Sequence, residues 1–118
     1  MSKPFADPSC LFCRIGRREI PARIVFESDH VLAFHDVTPK APTHVLVIPR
    51  MHLARLSETS DADAALLGEC LAALRGVARS LSLEGYRVVV NDGADAGQSV
   101  FHVHFHLLGG RAFAWPPG

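Results

Sequence analysis

The sequence contains only three cysteines, carries no net formal charge and has no long apolar run, and each absence excludes a class of protein. Three cysteines are too few, and odd in number, for a secreted disulfide framework. A net charge of zero gives no reason to expect nucleic acid or an anionic membrane as a partner. No apolar stretch approaches the roughly 20 residues that span a bilayer, and residues 1–9 lack the apolar core of a signal peptide. We therefore expect a cytoplasmic protein that binds neither nucleic acid nor membrane.

The apolar patterns predict a single domain, 1–118, of short strands and two helices. Their order is a helix over 11–16, strands over 23–27, 30–35 and 43–49, a helix from Ser60 to Gly85, and strands over 86–91 and 102–108. The run 43–49 is apolar throughout, which is typical of a central strand buried on both faces. Gly68 and Gly76 each cost the long helix about 1 kcal/mol relative to alanine, so that face is a candidate dimer contact.

Three histidines alternate with apolar residues near the C-terminus, in the order His-Val-His-Phe-His-Leu-Leu over 102–108. In a strand, His102, His104 and His106 point to one side and the apolar residues to the other. One such histidine would be interpreted as a hydrogen-bonded core residue, but three in register need another explanation. A neutral imidazole offers a lone pair that binds a metal or attacks an electrophile.

Two further segments carry candidate chemistry. Cys10 and Cys13 form a C-x-x-C, which is half of a zinc site, a redox pair or two buried thiols; a redox pair normally follows a strand, so the first and last alternatives stay open. The loop 92–99 contains Gly97 and leads into the histidines, so its N–H groups can approach a phosphate, although it is alternatively a flexible connection. Trp115, the only tryptophan, is expected to dock on its own domain or on a partner.

Taken together, these motifs resemble the histidine triad (HIT) superfamily, whose signature alternates histidine and apolar residues as 102–108 does. Residues 34–36, 41–44, 97–100, 109–111 and 115–118 are similar to the Hint branch, the histidine triad nucleotide-binding proteins. The resemblance implies a purine nucleoside phosphoramidase that hydrolyses the P–N bond of adenosine 5′-phosphoramidates, including AMP-lysine, to AMP and an amine. It also implies an α+β fold, with an antiparallel sheet, one long helix and a short N-terminal helix, that dimerises into a continuous sheet.

The resemblance further assigns catalytic roles. His104, the middle histidine of the triad, is the expected nucleophile, and no cofactor is required for catalysis. His106 and Ser99 are expected to donate a proton to the amine or to position it. His102 is expected to hold the triad strand, and His44 to support His104 from the adjacent strand.

Nucleotide-binding and metal-binding residues follow from the same resemblance. Asp36 is expected to accept hydrogen bonds from the ribose, and Asn91 with the loop 97–100 to meet the phosphate. The remaining nucleotide-binding expectations are an apolar base slot of Leu11, Phe12, Ile20, Phe34, Val37 and Leu46, phosphate contacts from Gly97, Gln98, Ser99 and Val100, and His104, His106 and Trp115. Cys10, Cys13, His52 and His102 match the positions that bind a structural zinc in some HIT proteins.

Three other hypotheses remain beside the phosphoramidase. A zinc hydrolase would bind its metal through His102 and His104 and would need a third ligand. A non-enzymatic protein would use the triad only as an AMP pocket. The last alternative is a dinucleoside polyphosphate hydrolase, but the loop 97–100 and the tail 115–118 look more like the Hint branch.

Overall fold

A computed structural model describes residues 3–118 of the chain. Its elements are α1 (Leu11–Gly16), β1 (Ile24–Glu27), β2 (Val31–His35), β3 (Thr43–Pro49), α2 (Ala64–Ser80), β4 (Tyr86–Val89) and β5 (Phe105–Gly109), with single 3-10 turns at Leu56–Glu58, Asp61–Asp63 and Ala94–Ala96. The five strands form one sheet in the order β1-β2-β3-β5-β4, and every neighbouring pair is antiparallel. The predicted α+β fold, with one long and one short helix, is confirmed.

The central strand β3 separates two apolar clusters, as its unbroken apolar sequence predicts. Val45 and Val47 pack in the cluster that includes α2 residues, while Leu46 and Ile48 pack in the cluster that includes α1 residues. All four side chains are at most 5% exposed. Burial of an aliphatic side chain of this size contributes about 1.5–3 kcal/mol, so the sheet is held from both faces.

The histidine segment pairs with β3 over a shorter range than its alternation predicts. The ladder begins at Phe105, which lies opposite Val47, and residues 102–104 precede it. Strand β3 ends opposite this segment at Pro49, which has no N–H to donate. Val103 instead donates its N–H to the Leu53 carbonyl at 2.7 Å. The predicted alternation still holds, because Val103 and Phe105 pack in the α2 cluster while the histidine rings lie on the α1 side.

Helix α2 ends at Ser80, not at Gly85 as the glycine predicted. Ser82 has a positive φ of 58° and donates its N–H to the Arg79 carbonyl, while Leu83 donates to that of Ala78. These two bonds form a Schellman motif, in which the left-handed position is usually glycine. Strand β4 likewise ends at Val89, two residues before the predicted end.

Three surface features bear on the predicted contacts with a partner. A Cβ added at Gly68 or Gly76 would meet no atom within 4 Å, so nothing within residues 3–118 packs closely against these glycines. Trp115 is 82% exposed, so the expectation that it docks on its own domain is wrong and only a partner contact remains. No helix in the described part of the chain is long and apolar enough to span a membrane.

Candidate functional site

A cavity of about 320 Å³ opens on the α1 side of the sheet. Its walls are Leu11, Phe12, Ile15, Ile20, Pro21, Ala22, Phe34, His35, Asp36, Val37, Thr38, Leu46, Ser99, Val100, His104 and His106. All six residues of the predicted base slot lie in this wall, together with Asp36, Ser99, Val100 and two histidines of the triad. Ile15 was not singled out from the sequence, although its spacing of four from Leu11 places both on one face of α1.

His104 is held in a single tautomer by the backbone. Its Nδ1 atom lies 2.7 Å from the carbonyl oxygen of His102. Because a carbonyl only accepts, Nδ1 carries the proton and Nε2 keeps its lone pair. Burial lowers the pKa of His104, so the ring stays neutral near pH 7. A neutral histidine with a free Nε2 in a cavity wall can act as a nucleophile.

A backbone amide fixes the proton positions of His44 and His106, which form a hydrogen-bonded pair. The Lys40 N–H donates to Nδ1 of His44 at 3.0 Å, so neutral His44 carries its proton on Nε2. That Nε2 lies 2.9 Å from Nδ1 of His106 and donates to it. His44 was expected to support His104, but its hydrogen bond goes to His106. The reason is the strand register, since His44 faces Leu108 and therefore lies diagonally beside His106.

His106 consequently carries its own proton on Nε2, which is buried and has no hydrogen-bond partner within residues 3–118. Burial, with the nearby His104 and His44, lowers the pKa of His106 to about 4. A neutral ring at pH 7 offers this N–H as a hydrogen-bond donor. A buried donor without a partner costs about 1–3 kcal/mol, and an anionic ligand in the cavity is one group that would satisfy it.

Asp36 lies beside the histidine pair. Its Oδ1 accepts from the Thr38 N–H at 2.8 Å, and its Oδ2 is 3.5 Å from Nε2 of His44. Asp36, His44 and His106 are close enough to hold a metal. However, His44 cannot ligate through Nε2 while Nδ1 accepts from Lys40, so His44 and His106 form a hydrogen-bonded pair beside Asp36 and not a metal site.

The loop before the triad is braced internally. Gln98 is 4% exposed; its Oε1 accepts from the Gly93 N–H, and its Nε2 donates to the Ala54 and Val100 carbonyls. The N–H groups of Gly97 and Gln98 donate within the loop, to Ala94 and Gly93. The two amides were expected to meet a phosphate, but they hold the loop together instead, as does the Gln98 side chain.

The left-handed Gly97, with φ of 97°, turns the braced loop so that the next two residues line the cavity. Ser99 is exposed at the cavity rim. Asn91 lies beside this loop, because a Cβ on Gly97 would approach its Nδ2 at 3.9 Å. Ser99 and Val100 are thus the loop residues that remain available to a ligand.

The two cysteines of the C-x-x-C meet two histidines next to the cavity. Nδ1 of His102 lies 3.5 Å from Sγ of Cys10 and 3.6 Å from Sγ of Cys13. Nδ1 of His52 lies 3.5 Å from Sγ of Cys13 and 3.2 Å from Nδ1 of His102. Zinc–ligand distances of about 2.3 Å for sulfur and 2.0–2.1 Å for nitrogen, at tetrahedral angles, separate sulfur from nitrogen by about 3.5 Å and two nitrogens by about 3.3 Å. The four residues therefore fit a structural zinc site.

The outer nitrogens of both histidines point to oxygen atoms, as metal-binding histidines require. Nε2 of His102 donates to the Pro49 carbonyl at 2.8 Å, which leaves Nδ1 as a lone pair. Nε2 of His52 lies 3.6 Å from Oδ2 of Asp7. Burial raises the pKa of the Cys13 thiol to about 11, so a positive ion is needed to hold it as a thiolate. Asp7 and Pro49 were not singled out from the sequence.

The predicted catalytic zinc of the alternative hydrolase does not fit this arrangement. No set of possible metal ligands within residues 3–118 contains both His102 and His104. The free nitrogen of His102 faces the cysteines, whereas that of His104 belongs to the cavity. Trp115, also expected at the nucleotide site, is not part of the cavity wall.

The fold and site define an α+β protein with three in-register histidines, one of them held as a potential nucleophile beside a Cys2His2 cluster. The HIT domain family matches residues 17–113, and the chain belongs to this family. It is 46% identical over 115 residues to a 14 kDa zinc-binding protein of Zea mays, covering 95% of this chain and 90% of that one.

Solved structures agree with the family assignment. The structure of a HIT family hydrolase from Legionella pneumophila superposes with a TM-score of 0.90 at 48% identity, covering 93% of this chain and 100% of that chain. That of a histidine triad nucleotide-binding protein from Candida albicans superposes with a TM-score of 0.78 at 35% identity, covering 92% and 83% respectively.

Proposed function

We propose that the protein is a nucleotide-binding hydrolase of the Hint type that cleaves the P–N bond of adenosine 5′-phosphoramidates, AMP-lysine among them. The observation that carries this proposal is the 2.7 Å hydrogen bond from Nδ1 of His104 to the His102 carbonyl. It leaves Nε2 of a neutral imidazole free in a cavity of suitable size for a small ligand. The names of the Legionella and Candida relatives support a hydrolase and a nucleotide respectively.

The proposed reaction has two steps. In the first, Nε2 of His104 forms a bond to the α-phosphorus while the P–N bond breaks; the electron pair leaves with the amine, which takes a proton from solvent through the Ser99 hydroxyl. In the second, water attacks the phosphorus and releases AMP, His104 leaves as a neutral ring, and the proton of the water passes to solvent.

In this scheme His106 stabilises charge and does not itself protonate the amine. Its pKa of about 4 keeps it neutral, and a neutral imidazole N–H is a weak acid but a good hydrogen-bond donor. Nε2–H, which has no partner within residues 3–118, is proposed to donate to a non-bridging phosphate oxygen. The N–H groups of Ser99 and Val100 and the Asn91 side chain are proposed to meet the remaining oxygens.

The apolar wall of the cavity is proposed to hold the purine between Leu11, Phe12, Ile20 and Phe34. Asp36, at the same wall, is proposed to accept from the ribose hydroxyls. The Cys2His2 cluster is proposed to hold zinc in a structural role, because its four ligand positions are all protein groups and leave no open position for water. Cysteines that form no disulfide at this site suit a reducing, cytoplasmic setting.

We also propose that two copies pair into a continuous sheet through β4 and α2. Strand β4 is at the edge of the sheet, and Tyr86 and Val88 on it are 40% and 38% exposed. Leu71 on α2 is 46% exposed, and Gly68 has open space around it. An open strand edge next to an apolar helix face favours pairing with another chain.

The proposed function is tested by mass spectrometry of protein quenched during turnover of a fluorogenic adenosine phosphoramidate. The expected result is an AMP adduct on the peptide that contains His104, absent in His104→Ala. His30→Ala is the matched control, because His30 is an exposed histidine that pairs with Glu69, away from the cavity. Wild-type hydrolysis by His104→Ala would refute the proposal, and tight AMP binding without turnover would indicate a non-enzymatic nucleotide-binding protein.

A further inference from the structure

The six-residue helix α1 belongs to both the Cys2His2 cluster and the cavity. Cys10 caps the helix and Cys13 lies within it. Leu11, Phe12 and Ile15, from the same two turns, line the cavity. A helix this short is not stable alone, since isolated helices shorter than about 12 residues are marginal in water. Its position, and with it one wall of the cavity, therefore depends on what its side chains contact.

His102 links the two sites a second time. Its ring Nδ1 faces the two cysteines, while its backbone carbonyl accepts the Nδ1 proton of His104. The same residue thus supplies a metal ligand and the group that sets the nucleophile's tautomer. A displacement of the His102 ring in the cluster moves the acceptor on which the geometry of His104 depends.

Phe12 provides a third link. Its ring packs edge-on against His104 with the centroids 5.0 Å apart, and against His102 with the centroids 6.1 Å apart. Phe12 is 4% exposed and is adjacent in sequence to Cys13. A shift of α1 relative to the triad segment would therefore alter the packing of the His104 ring directly.

From these three contacts we infer that zinc binding at the Cys2His2 cluster and nucleotide binding in the cavity are energetically coupled. Zinc ties α1 to His52 and His102, which holds the cavity wall and the His104 acceptor in the arrangement that receives a nucleotide. Coupling between two sites is reciprocal: the factor by which zinc tightens nucleotide binding equals the factor by which the nucleotide tightens zinc binding. This inference rests on the proposed nucleotide site, and it adds metal-dependent control of that site.

Two binding measurements on the purified protein test the coupling. The first is AMP affinity by isothermal titration calorimetry, with zinc-loaded and zinc-depleted protein. The second is the rate at which loaded protein releases zinc to excess chromogenic chelator, with and without saturating AMP. This second measurement uses only the loaded protein and so stays informative if the depleted form unfolds. We expect zinc to tighten AMP binding at least fivefold, within the usual range of coupling between sites, and AMP to slow zinc release, because affinity differences between related complexes lie mostly in the dissociation rate.

Variants separate the coupling from a general effect on stability. Phe12→Leu keeps all four metal ligands and is expected to bind zinc, and at an AMP concentration that saturates the variant AMP is expected to slow zinc release less than in the wild type. Cys70→Ala removes the third cysteine, which lies in the α2 cluster on the opposite face of the sheet, and is expected to retain the full effect. Equal zinc release with and without AMP, in a protein that binds AMP, would overturn the coupling alone. Failure of loaded protein to bind AMP would overturn both the coupling and the proposed nucleotide site.

Discussion

The Nε2 atom of His44 lies 2.9 Å from Nδ1 of His106, and the proton between them belongs to His44 because the Lys40 N–H occupies the other nitrogen. This chain of donors runs from a backbone amide through two rings to a free N–H at the cavity. The direction of the chain leaves the Nε2–H of His106, which has no partner within residues 3–118, available as a hydrogen-bond donor.

His44→Phe tests this direction. The substitution keeps a ring but removes the donor to Nδ1 of His106, so the His106 proton is no longer held on Nε2. We expect kcat for an adenosine phosphoramidate to fall about 100-fold, at the lower end of the cost of one donor to a developing anion, with a small change in KM. Steady-state kinetics measure both, with His30→Phe as the control. An unchanged kcat would show that the pair has no part in the reaction.

Stability is expected to depend on pH through the buried histidines. Burial lowers the pKa of His44, His104 and His106, the last to about 4, from the value of about 6.5 in an unfolded chain. Between the folded-state and unfolded-state pKa values the unfolded state binds more protons than the folded state. The free energy of unfolding is therefore highest above pH 6.5 and falls as the pH drops towards 4. For His106 the loss is at most on the order of 3 kcal/mol, at about 1.4 kcal/mol per pKa unit, and solvent screening at the cavity reduces it.

Urea unfolding at pH 7.5, 6.5, 5.5 and 4.5 measures this dependence. His106→Asn is expected to show a shallower slope than the wild type between pH 6.5 and 4.5, because it lacks one of the titrating groups. His30→Asn serves as the control at an exposed position. A slope in His106→Asn as steep as in the wild type would contradict the assignment of His106 as a buried neutral ring.

Zinc removal is expected to destabilise the protein. A ligand that binds only the folded state at 1,000 times its dissociation constant adds about 4 kcal/mol, so chelation should lower Tm by roughly 10 °C or more in a chain of this length, and zinc should restore it. Elemental analysis should find one zinc per chain in the wild type and in Cys70→Ala, and none in Cys10→Ala. A full zinc content in Cys10→Ala would place the metal elsewhere.

Gly68→Leu tests the proposed dimer surface. The position has open space within the described chain, and leucine is a better helix former than glycine by about 1 kcal/mol, so the monomer should lose no stability. A bulky side chain on the proposed contact should nevertheless weaken association. Analytical ultracentrifugation is expected to find a wild-type dimer and a larger dissociation constant in the variant. The same sedimentation behaviour for both proteins would exclude Gly68 from the contact.

Several boundaries could not be predicted from local patterns, for physical reasons. Glycine favours left-handed positions, which made Gly85 the predicted end of the long helix. Instead Ser82 adopts the left-handed conformation, and the closing hydrogen bonds go to the carbonyls of Ala78 and Arg79. The histidine strand begins at Phe105 because its partner strand ends at Pro49. The end of α2 and the start of β5 both depend on hydrogen-bond partners that the spacing of apolar residues does not reveal.

What the sequence by itself determined is the placement of side chains on faces. The alternation of histidine and apolar residues directed His102, His104 and His106 to one side of the sheet, and the spacing in α1 put Leu11 and Ile15 in one wall. Only the tertiary structure decided which ring nitrogen of each histidine carries the proton. The tautomers depend on the carbonyls of His102 and Pro49 and on the Lys40 amide, and these atoms reach the rings through strand register and loop geometry that no local pattern encodes.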